Sequence, residues 1–106
     1  MRIMDVKTYA LRAGLDEPFG FSQGWYYERA GVIVQVLTDE EIVGWGETYG
    51  PIKAVCTIIE TILKPIIIGK DPFDVEVLWE QMYNNTRPYG QKGIIIQAIS
   101  ALDIAL

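Results

Sequence analysis

Between Gly14 and Tyr27 the chain crowds Phe19, Phe21, Trp25, Tyr26 and Tyr27 into a stretch without a convincing period, flanked by runs that alternate like strands. Connections of this length in a compact domain are usually functional or disordered. Disordered segments are poor in aromatic residues, so the composition favours an ordered lid. Rings with a polar tip suit a surface that sheds water yet orients a small polar ligand. A loop whose rings only pack on their own domain is the competing explanation, and the residues alone leave the two level. Further on, Gly44-Trp45-Gly46-Glu47-Thr48-Tyr49 places two glycines on one face of a strand and Trp45, Glu47 and Tyr49 on the other. Glu47 could bind a ligand hydroxyl or move a proton; bonding to neighbouring backbone is the commoner use of such a carboxylate. Arg29, Lys53, Arg87 and Lys92 are the cations that could meet a carboxylate ligand, and solvation is the ordinary alternative for each. Cys56, beside Val55, reads as a small buried hydrophobe.

The chemistry that is excluded is equally informative. The sequence has no histidine, which rules out a Ser/His/Asp or Cys/His triad and any His-based metal site within this span. It has no glycine-rich phosphate loop, no cysteine pair and no metal-spaced acid cluster, so neither a catalytic set nor a metal-ligand set is expected here. Nine basic residues against fourteen acidic ones give a charge of −5 with no basic stripe, which argues against nucleic acid and anionic membranes as partners. A single cysteine forbids an internal disulfide and points to a reducing cytoplasm. Asp5 and Lys7 interrupt any signal-peptide core, and no later run approaches the roughly 18 apolar residues of a membrane span. The expectation is a soluble cytoplasmic protein.

Strands followed by helices must position these residues, an α+β order within one domain over residues 1–106. Arg2 to Arg12 alternates as a first strand, Gly31 to Leu37 is a β-branched second strand, and Thr38 to Glu41 turns the chain into a third from Ile42 to Tyr49. The short connection between the last two predicts an antiparallel hairpin. After Pro51, residues Ile52, Val55, Ile59, Ile62 and Leu63 form the buried stripe of a first helix. Pro65 predicts its stop near Lys64. Asp71-Pro72 predicts the start of a second helix, in which Val75, Leu78, Trp79, Met82 and Tyr83 fit the apolar template. Gly93 to Leu106 is a third helix, apolar nearly all round, with Gln97, Ser100 and Asp103 as its narrow polar edge. Such a helix demands cover on every face, and without a cap signal at Leu106 it is expected to continue into a larger protein.

Three motifs carry a family resemblance. Thr38-Asp39-Glu40-Glu41-Ile42-Val43-Gly44-Trp45-Gly46-Glu47, the Ile68-Gly69-Lys70-Asp71-Pro72 helix start, and Ala98-Ile99-Ser100-Ala101-Leu102-Asp103-Ile104-Ala105-Leu106 together resemble the N-terminal capping domain of the mandelate racemase/muconate lactonizing branch of the enolase superfamily. The resemblance implies a three-stranded antiparallel meander followed by a three-helix bundle, capping a modified TIM barrel into which the last helix runs. It implies that the barrel supplies lysine or histidine acid/base residues and three carboxylates holding Mg²⁺, which stabilises the enediolate formed when a proton leaves the carbon next to a carboxylate. It also implies that two capping loops, here Gly14 to Tyr27 and Thr48 to Ile52, close over the substrate and select it. Phe19, Phe21, Trp25, Tyr26 and Tyr49 are the substrate-binding residues expected by position. Two departures stand out: Glu41 replaces a common glycine, at a cost of about 1 kcal/mol if positive φ is required there, and the last helix is richer in isoleucine.

The leading expectation is therefore the specificity cap of a Mg²⁺-dependent enzyme that abstracts an α-proton from a small carboxylate substrate, such as an acid-sugar dehydratase, racemase or cycloisomerase. Its own barrel domain is the expected partner and a homo-oligomer the expected assembly. Two alternatives from other classes stay open: a free-standing small-molecule binding module using the same aromatic segment, and an interaction domain whose apolar last helix docks on a separate protein.

Overall fold

The computed structural model describes residues 1–21 and 24–106, apart from the side chains of residues 15, 18, 19, 21 and 26–28. Three strands, β1 (Ile3–Phe21), β2 (Gly24–Thr38) and β3 (Val43–Thr48), form an antiparallel meander in the order β1-β2-β3. One face of this sheet is covered by helices α1 (Ile52–Ile58), α2 (Lys64–Ile67), α3 (Val75–Thr86) and α4 (Ile94–Ala105), with a π-helical turn over Ile59–Leu63 joining the first two into one rod. The strand alternation decides which face is covered. Val6 of β1 and Val32, Val34 and Val36 of β2 point inward and are closed off against Val55, Ile59, Leu63, Leu78, Met82, Ile99 and Leu102. Their partners on the other face, Tyr9, Ile33, Gln35 and Trp45, look outward.

The meander, the helical half and the hairpin at Thr38 to Val43 agree with expectation; three boundaries do not. The segment expected as an irregular connection from Gly14 to Tyr27 continues the first two strands as a paired ribbon, with Gly14 opposite Glu28, Phe19 opposite Tyr26, Gly20 opposite Trp25 and Phe21 opposite Gly24. The register slips between Gly14 and Phe19, where residues 15–18 face residue 27 alone. A slip of that kind breaks the two-residue period, and of the described side chains there Asp16, Glu17 and Trp25 are exposed, as is Gly20.

Pro65 does not end the first rod. Lys64 N–H donates to the carbonyl of Ile59, five residues back, and this wider turn lets the helix pass a proline that would otherwise crowd the carbonyl four residues before it. The rod ends at Gly69, with φ 79°, whose N–H donates to Ile3 O at 2.8 Å while Ile3 N–H donates to Lys70 O at 2.9 Å. The helix end is thereby stitched to the start of β1. Asp71 does not open α3. Its side chain accepts the N–H of Phe73 at 3.0 Å and its carbonyl that of Asp74 at 3.1 Å, a separate turn that places Asp74 as the cap residue. Two polar links join β1 to the rod: Thr8 Oγ1 donates to Glu60 Oε1 at 2.6 Å, and Lys64 Nζ lies 2.5 Å from Asp5 Oδ1. The hydrogen bond from Lys64 holds the Asp5 carboxyl below its ordinary value, against a smaller opposing effect of burial.

Helix α4 is covered on one side only within these residues. Ile95, Ala98, Ile99, Ala101, Leu102 and Ala105 are buried, whereas Ile104 is 61% exposed. Glu41 has φ 63°, so the position occupied by glycine in the resembled family does require the left-handed region here.

Candidate functional site

The two segments implied as substrate-facing lie at the ends of strands, and each is held by glycine. In the ribbon, Trp25 stands opposite Gly20, and a Cβ on Gly20 would come within 2.8 Å of the Trp25 ring. The indole therefore lies over bare backbone and is 64% exposed. Tyr49, 72% exposed, follows the last rung of β3, where Thr48 pairs with Val32. Below it the turn is anchored by the buried side chain of Ile52 and by Val55 N–H donating to Pro51 O at 2.9 Å.

Trp25 and Tyr49 do not meet. From Trp25 to Val32 the ribbon runs about 20 Å at a rise of roughly 3.3 Å per residue. The side chains of Phe19, Phe21 and Tyr26 lie outside the described residues, although their backbones belong to the ribbon. Among the described residues, the chain thus presents two separate exposed rings, Trp25 and Tyr49.

The glycines of β3 explain how the second support is built. A Cβ on Gly44 or Gly46 would run into the backbone carbonyl of Ala105 or Ala101 respectively, so α4 rests directly on the strand. Further up, Gly50 has φ 125°, and a Cβ there would sit 2.6 Å from Gln97 Oε1. Gln97, Ala101 and Ala105 recur every fourth residue and form one stripe of α4 along the strand and its outgoing turn. Sequence reasoning saw Gln97 only as part of a polar edge. The repeat of four against the glycines was the signal available for it.

The other candidates separate. Glu47 is exposed on the outer face, opposite Ile33, one step from Trp45, whose ring lies 6.4 Å from that of Tyr9. Tyr9 OH in turn donates to Gln35 Oε1 at 2.9 Å. Arg87 is placed over the Tyr83 ring at 5.7 Å, and that ring stacks on Trp79 at 5.0 Å, so a cation–π ladder along α3 engages Arg87. Lys53 and Lys92 are exposed. Cys56 is half-buried and packs against the core. Asp103 is half-buried in the hollow between α3 and α4 that Glu76, Trp79 and Glu80 also line. Among the described residues no three of His, Cys, Asp and Glu come together in a way that could hold a metal ion. The described residues therefore do not fit a Mg²⁺ site.

Known proteins share this architecture. The sequence pattern of the mandelate racemase/muconate lactonizing enzyme N-terminal domain matches residues 3–106. The D-galactarolactone cycloisomerase of Agrobacterium fabrum is 37% identical over 106 residues, 100% of this chain and 28% of that protein. The arabinonate dehydratase of Saccharolobus solfataricus is 42% identical over 77 residues, 71% of this chain and 21% of that enzyme. The crystal structure of a racemase from Streptomyces coelicolor A3(2) with bound magnesium superposes with a TM-score of 0.90 at 28% identity, covering 97% of this chain and 30% of that one. The chain spans less than a third of the length of these relatives. With the antiparallel meander, the helices on its inner face and the match over residues 3–106, the chain belongs to the mandelate racemase/muconate lactonizing enzyme family as its N-terminal domain, in the enolase superfamily.

Proposed function

We propose that this domain is the substrate-selecting cap of an enzyme that removes the α-proton of a small carboxylate, with an acid sugar or its lactone as the favoured substrate class. The observation that carries the reading is the pairing of family membership with two exposed rings at strand ends, Trp25 over Gly20 and Tyr49 beside Gly50. A cyclisation, a dehydration and a racemisation, the reactions in the relatives' names, can each begin with loss of a proton next to a carboxylate. In this reading the acid/base residues and the carboxylates for Mg²⁺ reside in a barrel domain outside this chain, which spans less than a third of the length of its relatives. Mg²⁺ there would stabilise the charge that develops on the substrate carboxylate. The cap contributes Trp25 and Tyr49, which exclude water and offer an apolar face with a polar edge to a polyol acid. Selection follows from which hydroxyls these rings leave room for.

Incubation of the complete polypeptide with Mg²⁺ in D₂O, in the presence of D-galactarolactone, arabinonate, L-rhamnonate or N-succinyl-L-arginine, tests this. Proton NMR is expected to show loss of the α-proton signal, by exchange or by turnover, for at least one acid. Retention of every α-proton signal would contradict the proposal.

A further inference from the structure

We infer that Gln97 is a positioning residue that sets the turn from Thr48 to Ile52 from below and thereby fixes where Tyr49 stands. The stripe of α4 that lies along β3 is built for close approach at two of its three steps: Ala101 and Ala105 bring the helix backbone against Gly46 and Gly44. At the third step the small residue gives way to a long carboxamide. That step falls where the chain leaves the sheet, at Gly50, whose φ of 125° lies outside the range of ordinary residues. Gln97 Oε1 and Cδ occupy the space that a Cβ on Gly50 would need, at 2.6 and 3.3 Å from its ideal position. Gln97 thus fills the gap that opens between helix and strand as the chain turns away. Since Ala101 and Ala105 lock the helix to the strand, the carboxamide is held at a fixed height, and the turn rests on it. Val55, whose N–H donates to the Pro51 carbonyl at 2.9 Å, reports the position of that turn.

The consequence for selectivity rests on the reading of this turn as substrate-facing, so two readouts are needed. In the complete polypeptide, Gln97→Ala should accelerate hydrogen exchange of the Val55 amide at least tenfold, while the Val34 amide in the sheet stays within twofold of wild type. Gln97→Met, which keeps the length of the side chain, should restore the wild-type rate to within threefold. Gly50→Ala, which pushes on the same contact from the other side, should accelerate Val55 as Gln97→Ala does. Wild-type exchange at Val55 in Gln97→Ala, or acceleration of Val34 by the same factor, would overturn the inference. If the turn also faces substrate, Gln97→Ala raises KM for the accepted acid about fivefold and leaves kcat within twofold. Faster Val55 exchange with unaltered KM would leave the positioning role standing and remove the substrate-facing reading of the turn.

Discussion

The two ends of β2 differ in what holds them. At its C-terminal end Val32, Val34 and Val36 are buried where the strand packs against α1 and α4, and the strand is paired on both sides, by β1 and β3. At its N-terminal end the strand is paired with β1 alone, and Trp25 is 64% exposed. The same backbone ladder runs through both. What changes is the burial of the side chains, and with it the origin of stability: apolar burial at one end, backbone pairing and a ring laid over glycine at the other. A cap that selects a ligand profits from this division, because residues that contribute little to folding are free to serve recognition.

Substitutions at the packed end should have the largest effects. Gly46→Val drives a branched side chain into the backbone carbonyl of Ala101, where no flexible group can yield. Loss of about 3 kcal/mol or more of unfolding free energy is expected in denaturant titration. An effect below about 1 kcal/mol would mean that α4 is not seated on the strand. Glu41→Gly runs the other way. It relieves a side chain at φ 63° in the β2–β3 hairpin and should stabilise by about 1 kcal/mol, read as a higher denaturant midpoint.

A smaller effect separates β1 from the rod. Asp5 is held below its ordinary value by Lys64, so the pair contributes stability that is complete above the unfolded pKa near 3.8 and disappears as pH falls through the lower folded value. Both partners are partly exposed, and a double-mutant cycle with Asp5→Asn and Lys64→Met should give a coupling of only about 0.5 kcal/mol at neutral pH, lost as acid protonates Asp5 through its lowered folded value. A coupling that persists in acid would assign the contact to packing instead. At the exposed end, Tyr49→Ala should leave the unfolding free energy within about 0.5 kcal/mol of wild type, since the ring is 72% exposed.

Legibility in the sequence followed the same division. Where one face is buried, periodicity is imposed on the residues: Val32, Val34 and Val36 of β2 and Leu78 and Met82 of α3 could be assigned to the core from spacing alone. The ribbon at residues 14–27 could not, because its register slips between Gly14 and Phe19 and interrupts the alternation. The boundaries at Pro65 and Asp71 were hidden for a different reason. Each is a local alternative that proline and aspartate allow besides the expected one: a five-residue hydrogen bond that carries the helix past Pro65, and an Asp71 side chain that bonds the Phe73 N–H in a turn ahead of the helix. Of the site, Trp25 and Tyr49 were visible as residue types, and the role proposed for them comes from family resemblance. Gln97 was visible only as a polar residue on an apolar helix until Gly50 was placed beside it.

The central claim is that the exposed rings discriminate among substrates while the buried core holds them in place. The most direct test compares kcat/KM for D-galactarolactone, arabinonate and L-rhamnonate in the complete polypeptide before and after Trp25→Ala. The account predicts that the ratio between at least two of these substrates moves tenfold or more while Mg²⁺ affinity is unaltered. Ratios within twofold of wild type for every pair would contradict it.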